Sequence, residues 1–248
     1  MSVWRMELLR LFRTLRWVGL LASFLVFGIT MPIVTRYQDA IFRHLGGNVQ
    51  VIVPPATPAQ GIASYLQNAM QIGLLVSVLI AAGSLAFDAK PEWAAFLRTR
   101  SPDLATLVIP KYAVNAVATA TCFAAGLVAA WIGTVVLIGH VPVTVVVAGA
   151  AFGAIYLAFA VSVVAFAAAL SRSVIGAGGL ALVVLIALPI LAKVGPLEPW
   201  MPSALVGSPT ALAQGEAATS FLRAAGLSAV SAAVLVWASI RLMARREA

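Results

Sequence analysis

Six long apolar stretches without a charged side chain constrain this sequence more than any other feature. None contains Asp, Glu, Lys, Arg or His, and they run over Trp17–Thr35, Ala63–Phe87, Tyr112–Ile138, Val143–Leu170, Val174–Ala192 and Ala224–Ile240. Each reaches or approaches the roughly 20 residues that a helix needs to cross about 30 Å of hydrocarbon. We therefore predict an all-α integral membrane protein, with six transmembrane helices in one domain over residues 1–248.

The distribution of charge predicts the orientation of these spans. Only 10% of the residues are charged, against about 25% in soluble domains. If the spans alternate, twelve of the sixteen Lys and Arg residues lie on one side of the membrane. Basic loops face the cytoplasm, so both termini are expected there. The net charge of +8 is thus a topology signal, with attraction to anionic lipids, and does not indicate nucleic-acid binding.

Residues 3–16 precede the first span and form a segment of their own. At 100° per residue, the apolar side chains fall on one face: Trp4, Leu8, Leu11, Phe12 and Leu15. Glu7, Arg10, Arg13 and Thr14 fall on the other face. This pattern favours an amphipathic helix lying in the cytoplasmic interface. The alternative is a first span that simply extends into the cytoplasm with a basic flank.

The longest internal connection, between spans two and three, predicts a short helix over residues 91–100. Pro91 and Glu92 suit its first turn. Trp93, Phe96 and Leu97 follow at helical spacing and form an apolar face, and Arg98 lies in the last turn. This face is suited to docking onto a partner. A loop helix packed under the membrane would show a similar pattern.

Two external segments carry turn signals. Residues 36–61 contain a short piece over Gln38–Leu45, a glycine pair, a β-like run at Val49–Val53 and a proline pair. Residues 194–222 interleave four prolines with apolar side chains. A wholly aqueous loop does not need such apolar residues, so we predict an external re-entrant segment of short helices that dip into the outer leaflet.

Catalytic and metal-binding motifs are absent from the sequence. It has no phosphate-binding G-x-x-x-x-G-K-[ST] loop, no H-E-x-x-H and no Cys/His cluster. The predicted spans also lack the buried carboxylates and cations that ion-coupled carriers usually use. We expect a non-catalytic protein that binds no cofactor, and any energy for transport should come from outside the chain.

Polar side chains collect on one face near the outer end of span two. They are Ser64, Gln67, Asn68 and Gln71. Interhelical hydrogen bonding accounts for such a face, and so does the wall of a translocation path. The G-x-x-x-G of Gly149 and Gly153 indicates close packing of span four.

These features together resemble the membrane-spanning permease subunit of ABC type-2 (exporter-type) transporters. The resemblance lies in the order of features along the chain. Its most specific stretch is FDAKPEWAAFLRTRSP over residues 87–102, followed by Lys111 and Tyr112. It implies that helix 91–100 is a coupling helix, touching a separate ATPase subunit through Glu92, Trp93, Phe96, Leu97 and Arg98.

The resemblance also implies a dimer in a bacterial inner membrane. A second, identical or homologous permease copy would complete a translocation path with Ser64, Asn68 and Gln71 on its wall. A pair of ATPase subunits would use ATP and Mg²⁺. The alternatives are a secondary carrier or channel, and a membrane scaffold or sensor that transports nothing.

Overall fold

The computed structural model describes residues 3–45, 55–87, 104–171, 173–193 and 195–245. Across these ranges the chain is helical and contains no strand. Six helical stretches are long and apolar enough to cross a membrane: Arg16–Ile41, Pro58–Leu85, Leu104–Leu137, Val143–Leu170, Val174–Ala192 and Ala218–Arg245. The prediction of an all-helical chain is confirmed for the described residues, and so is the prediction of six helices long and apolar enough to span a membrane.

The helices, numbered in chain order over the described ranges, begin with three that build the first half of the bundle. They are α1 (Val3–Arg13), α2 (Arg16–Leu45) and α3 (Pro58–Asn68). A π-helical turn, Ala69–Gly73, joins α3 to α4 (Leu74–Leu85). The rest are α5 (Leu104–Leu137), α6 (Val143–Leu170), α7 (Val174–Ala192), α8 (Ser208–Ala213) and α9 (Leu222–Arg245).

The helix bounds match the predicted limits for two spans and differ from them for the other four. Helices α6 and α7 have the predicted limits, whereas α2 continues to Leu45 through the piece predicted as an external loop segment. Helix α5 begins at Leu104, well before the predicted Tyr112. The predicted span contained only residues without charge, and it therefore began after Lys111. In the structure Lys111 lies inside α5 and is fully buried.

A sharp turn separates α1 from the first span. Leu15 adopts a positive φ of 54°, a conformation that costs energy for a residue with a β-carbon. The rings of Phe12 and Trp17 pack across the turn with centroids 6.1 Å apart. Residues 3–13 thus form a helix distinct from the first span, as the sequence favoured.

Close approach of α2 and α5 organises the core. A β-carbon on Gly28 would lie 2.3 Å from the carbonyl oxygen of Gly126, so the two backbones touch. Beside this crossing the buried Tyr65 hydroxyl donates to the Phe123 carbonyl at 2.9 Å. Phe24 packs edge-on against Phe123, with ring centroids 5.8 Å apart. Small residues permit the crossing, and aromatic rings fill the space around it.

Helix α6 is the central helix of the bundle. In the most apolar 18-residue stretch of α6, 72% of the residues are buried, against 22–44% in the corresponding stretches of the other spans. The predicted role of its glycines in packing agrees with the structure. A β-carbon on Gly153 would lie 2.2 Å from the Phe123 ring, and one on Gly149 would lie 2.8 Å from Pro209.

The segment before α9 consists of short helical pieces that fold back onto the bundle. They are 3₁₀ turns at Gly195–Trp200, Pro202–Val206 and Ala218–Phe221, with α8 between the second and the third. Leu205 is fully buried, and Pro209 packs against Gly149 of α6. The predicted short helices are therefore present, while their depth in a membrane stays a prediction.

Candidate functional site

The apolar face of α1 points away from the protein. Trp4, Leu8, Phe12 and Leu15 are between 46% and 65% exposed, whereas Leu11 is buried against the bundle. A helix of a soluble protein turns its apolar face inward. An outward apolar stripe next to six apolar spans is what a helix in a membrane interface requires.

Part of the polar face of α1 points inward and carries a buried ion pair, while Arg13 on the same face is exposed. Glu7 is 3% exposed and Lys111 of α5 is 0% exposed. The Lys111 ammonium donates to Glu7 Oε1, and the Ser84 hydroxyl donates to Glu7 Oε2 at 3.2 Å. One carboxylate thus joins α1 to the end of α4 and to α5. These contacts are favourable because each buried charge would otherwise be unpaired in a medium that solvates it poorly.

Two arginines complete this group, which we call the Glu7 cluster: Glu7, Arg10, Arg16, Ser84 and Lys111. Arg10 Nη2 donates to the Gly83 carbonyl at 3.2 Å, and its Nη1 lies 3.8 Å from Glu7 Oε1. Arg16 Nη2 would be 3.7 Å from a β-carbon on Gly83. Three cations therefore surround one carboxylate, and Arg10 Nη1 is buried without a hydrogen-bond partner.

A small apolar cluster lies next to the Glu7 cluster at the end of the bundle that holds both termini. We call it the terminal cluster, and its buried members are Phe87, Leu104, Leu107, Val108, Ala169 and Met243. Val3 and Met6 of α1 pack against it, and the Lys111 ammonium lies 5.8 Å from the centroid of the Phe87 ring. The terminal cluster therefore joins α1, the end of α4 and parts of α5, α6 and α9.

The predicted partner-contact residues lie outside the described residues. Glu92, Trp93, Phe96, Leu97 and Arg98 all belong to residues 88–103, and the β-like run at Val49–Val53 is also outside. The structure does describe where residues 88–103 are attached. Phe87 immediately precedes them and Leu104 immediately follows them, and both side chains are buried in the terminal cluster.

The polar face of span two divides into two parts. Ser64 Oγ accepts from Thr35 Oγ1 of α2 at 2.9 Å. The Asn68 amide donates to the Ser64 carbonyl at 2.9 Å and lies 3.2 Å from Met31 Sδ of α2. These two side chains bind neighbouring helix groups, as the hydrogen-bonding interpretation expects. Gln67 and Gln71, in contrast, are exposed on the surface of the chain.

The π-helical turn at Ala69–Gly73 positions Gln71 on this surface. Phe24 of α2 packs directly on Gly73, the last residue of this turn. A β-carbon there would lie 2.5 Å from the ring. Single π-helical turns are frequent at functional sites. Gln71 lies near the middle of the span Pro58–Leu85, where an exposed amide facing lipid would be costly.

Sequence reasoning missed the joint role of Glu7, Ser84 and Lys111. The available signal was a single acid on the basic face of α1 and a single lysine beside a long apolar run. Charges that border membrane spans are usually paired, but the periodicity of one helix does not reveal which residue of another helix is the partner. Within the described ranges, no cluster of His, Cys, Asp or Glu could hold a metal ion.

Comparison with known proteins gives no match to a family model, a curated protein or a solved structure.

Proposed function

We propose that this chain is the transmembrane permease subunit of an ATP-driven ABC exporter. It would act as a dimer and be driven by a separate ATP-binding subunit, which uses ATP and Mg²⁺, while this chain binds no cofactor and catalyses nothing. The observation that carries the proposal is that Phe87 and Leu104, which flank residues 88–103, are both buried in the terminal cluster.

This attachment supports a mechanical role for the predicted coupling helix over residues 91–100. A push on that helix would reach Phe87 at the end of α4 and Leu104 at the start of α5. The same buried cluster contacts α6 and α9 through Ala169 and Met243. Packed side chains transmit displacement, because protein interiors have little free volume. A partner that moves residues 91–100 would therefore displace several spans together.

The Glu7 cluster adds α1 to this group of helices. Glu7 contacts Ser84 shortly before residues 88–103 and Lys111 shortly after them. The interfacial helix would consequently move with α4 and α5. In the proposed mechanism, α1 anchors these helices at the level of the cytoplasmic membrane surface, with both chain termini on that side in a bacterial inner membrane.

The exposed amides of span two support the proposed dimer. Gln67 and Gln71 are on the chain surface, near the middle and outer half of the span. Polar side chains within spans face other helices or water-filled spaces. A second permease copy would cover this face, and Gln71 would line the path between the copies. Ser64 and Asn68 would support that wall through their contacts with α2.

The external pieces before α9 would close the outer end of the path. Leu205 and Pro209 fix them to the bundle, while Trp200 is 48% exposed. An exposed tryptophan on an apolar, proline-rich segment suits the outer interface of a membrane. We propose that this segment dips into the outer leaflet.

Co-purification of ATPase activity tests the proposed function. The tagged chain, extracted from its native membrane in mild detergent, should carry vanadate-sensitive Mg²⁺-ATPase activity. The double change Trp93→Ala and Phe96→Ala should lower that activity at least tenfold, since buried aromatics at interfaces contribute about 2 kcal/mol or more each. Trp237→Ala, an equal truncation of an exposed tryptophan on α9, is the matched control and should change little. Full activity in the double variant would contradict the proposal.

One observation favours a second candidate, a secondary carrier. A buried acid–base pair such as Glu7 and Lys111 occurs in ion-coupled carriers. Its place argues for a structural role, because Ser84 lies one residue before the end of α4 and the pair is therefore near the end of the bundle. A carrier would purify without any associated ATPase activity, so the same experiment separates the two functions.

A further inference from the structure

A groove runs between α1, the start of α2 and α5. It encloses about 390 Å³ and its lining is almost wholly apolar. Trp4, Leu8 and Phe12 form one wall, and Trp17, Val117 and Cys122 form the other. The groove opens at the protein surface, where Phe12 is 55% and Val117 is 62% exposed. Its volume falls within the range of about 300–1,000 Å³ that is usual for small-molecule sites.

The groove leads to the positive charge of the Glu7 cluster. Leu11 and Val114 line the groove and also border a polar space of about 10 Å³ between Glu7, Arg10 and Arg16. That space holds about one water molecule, so a larger anion would lie at its mouth. The side chain of Arg10 is 29% exposed there, and that of Arg16 is also partly exposed.

Among the described residues, the cluster carries more positive than negative charge. Arg10, Arg16 and Lys111 are balanced by Glu7 alone. Arg10 Nη1 lies 3.8 Å from Glu7 Oε1 but has no hydrogen-bond acceptor among the described residues, and the side chain of Arg16 makes no ion pair or hydrogen bond with them. Partly buried cations in excess of their counterions are unfavourable, and guanidinium groups bind phosphate in a bidentate manner.

We propose that this site binds an anionic phospholipid, with one acyl chain in the groove and the headgroup phosphate at Arg16 and Arg10. An apolar groove that ends where arginines outnumber carboxylates among the described residues, beside an interfacial helix, matches both parts of such a molecule. The lipid would fill the space between α1 and α5 and hold α1 in place. The proposal depends only on the membrane location of the chain, and not on the identity of any ATPase.

Native mass spectrometry of the detergent-purified chain tests this site. The probes are phosphatidylglycerol, phosphatidylcholine with the same acyl chains, and inorganic phosphate. Phosphatidylglycerol should bind at least fivefold more tightly than phosphatidylcholine. Arg16→Gln should remove most of this preference, because one basic residue near the membrane surface is worth about fivefold in affinity for anionic lipid. Arg36→Gln, at the other end of the same helix, is the control and should keep the preference.

A second pair of variants tests the groove itself. Val117→Trp should fill it and weaken binding of both lipids severalfold. Val136→Trp places the same side chain on α5 at a position that is 75% exposed and outside the groove, so binding should not change. Equal affinity for the two lipids, or unchanged binding in Arg16→Gln or Val117→Trp, would overturn the proposal. If inorganic phosphate competes with the lipid and Val117→Trp does not change phosphate binding or this competition, the site is a simple anion site and the proposal is overturned as well. Circular dichroism confirms that each variant is folded.

Discussion

The pair of Glu7 and Lys111 provides the sharpest test of how α1 is held to the bundle. The change Glu7→Leu removes the only carboxylate that the structure places beside the fully buried Lys111 ammonium. Removing one partner of a buried ion pair costs about 3–5 kcal/mol, because the remaining charge is left without compensation. We therefore expect the free energy of unfolding to fall by about that amount.

The contacts of the two residues predict unequal effects. Lys111→Met leaves Glu7 with the Ser84 hydroxyl at 3.2 Å and Arg10 at 3.8 Å. Its cost should be smaller, about 1.5–3 kcal/mol, the usual value of a hydrogen bond to a charged group. The double variant Glu7→Leu/Lys111→Met should lose less than the sum of the two single changes. The expected coupling energy is roughly 2–3 kcal/mol.

Unfolding by sodium dodecyl sulfate in mixed micelles, followed by circular dichroism, measures these free energies. Glu216→Leu is the matched control, because Glu216 is exposed in the segment that precedes α9, and the stability of this variant should not differ measurably from that of the unchanged protein. If the loss of unfolding free energy in the double variant equals the sum of the losses in the two single variants, the coupling is refuted. A loss below about 1 kcal/mol for Glu7→Leu would show that the pair does not hold α1.

Two further predictions concern packing and topology. Gly28→Ala should destabilise the protein by about 1–3 kcal/mol in the same unfolding assay, because the added β-carbon would meet the Gly126 backbone. Gly179→Ala is the control. A β-carbon at position 179 has no atom within 4 Å, so this change should be neutral or slightly stabilising. In a Cys122→Ala background, cysteines at positions 140 and 216 should react with an impermeant reagent from outside and one at position 172 should not; labelling at 172 would contradict the orientation.

The sequence predicted the spans well where polar residues and turns border an apolar run directly. The bounds Val143–Leu170 and Val174–Ala192 are the clearest cases. It failed where a charge lies inside a helix. The start of α5 was placed at Tyr112 because Lys111 looked like a boundary, although burial with Glu7 allows Lys111 to lie within the helix.

The candidate sites show the same limit of local patterns. Helical periodicity placed Trp4, Leu8 and Phe12 on one face of α1, but it could not show that the opposite face binds α4 and α5. It also grouped Ser64, Asn68 and Gln71 on one face. In the structure Ser64 and Asn68 contact α2, whereas Gln71 lies in a π-helical turn and is exposed. Such effects come from residues that are distant in sequence, and no local pattern encodes them.

Photo-crosslinking from the predicted coupling helix tests the central claim most directly. A benzoylphenylalanine at position 96, in the native membrane, should crosslink to a separate polypeptide that binds ATP. The same probe at position 136, at the far end of α5 from Lys111, should not. Capture of an ATP-binding subunit from position 96 alone is the result we expect. If position 96 crosslinks only to lipid or to this chain, while the chain remains folded and inserted, residues 91–100 contact no ATPase and the account is contradicted.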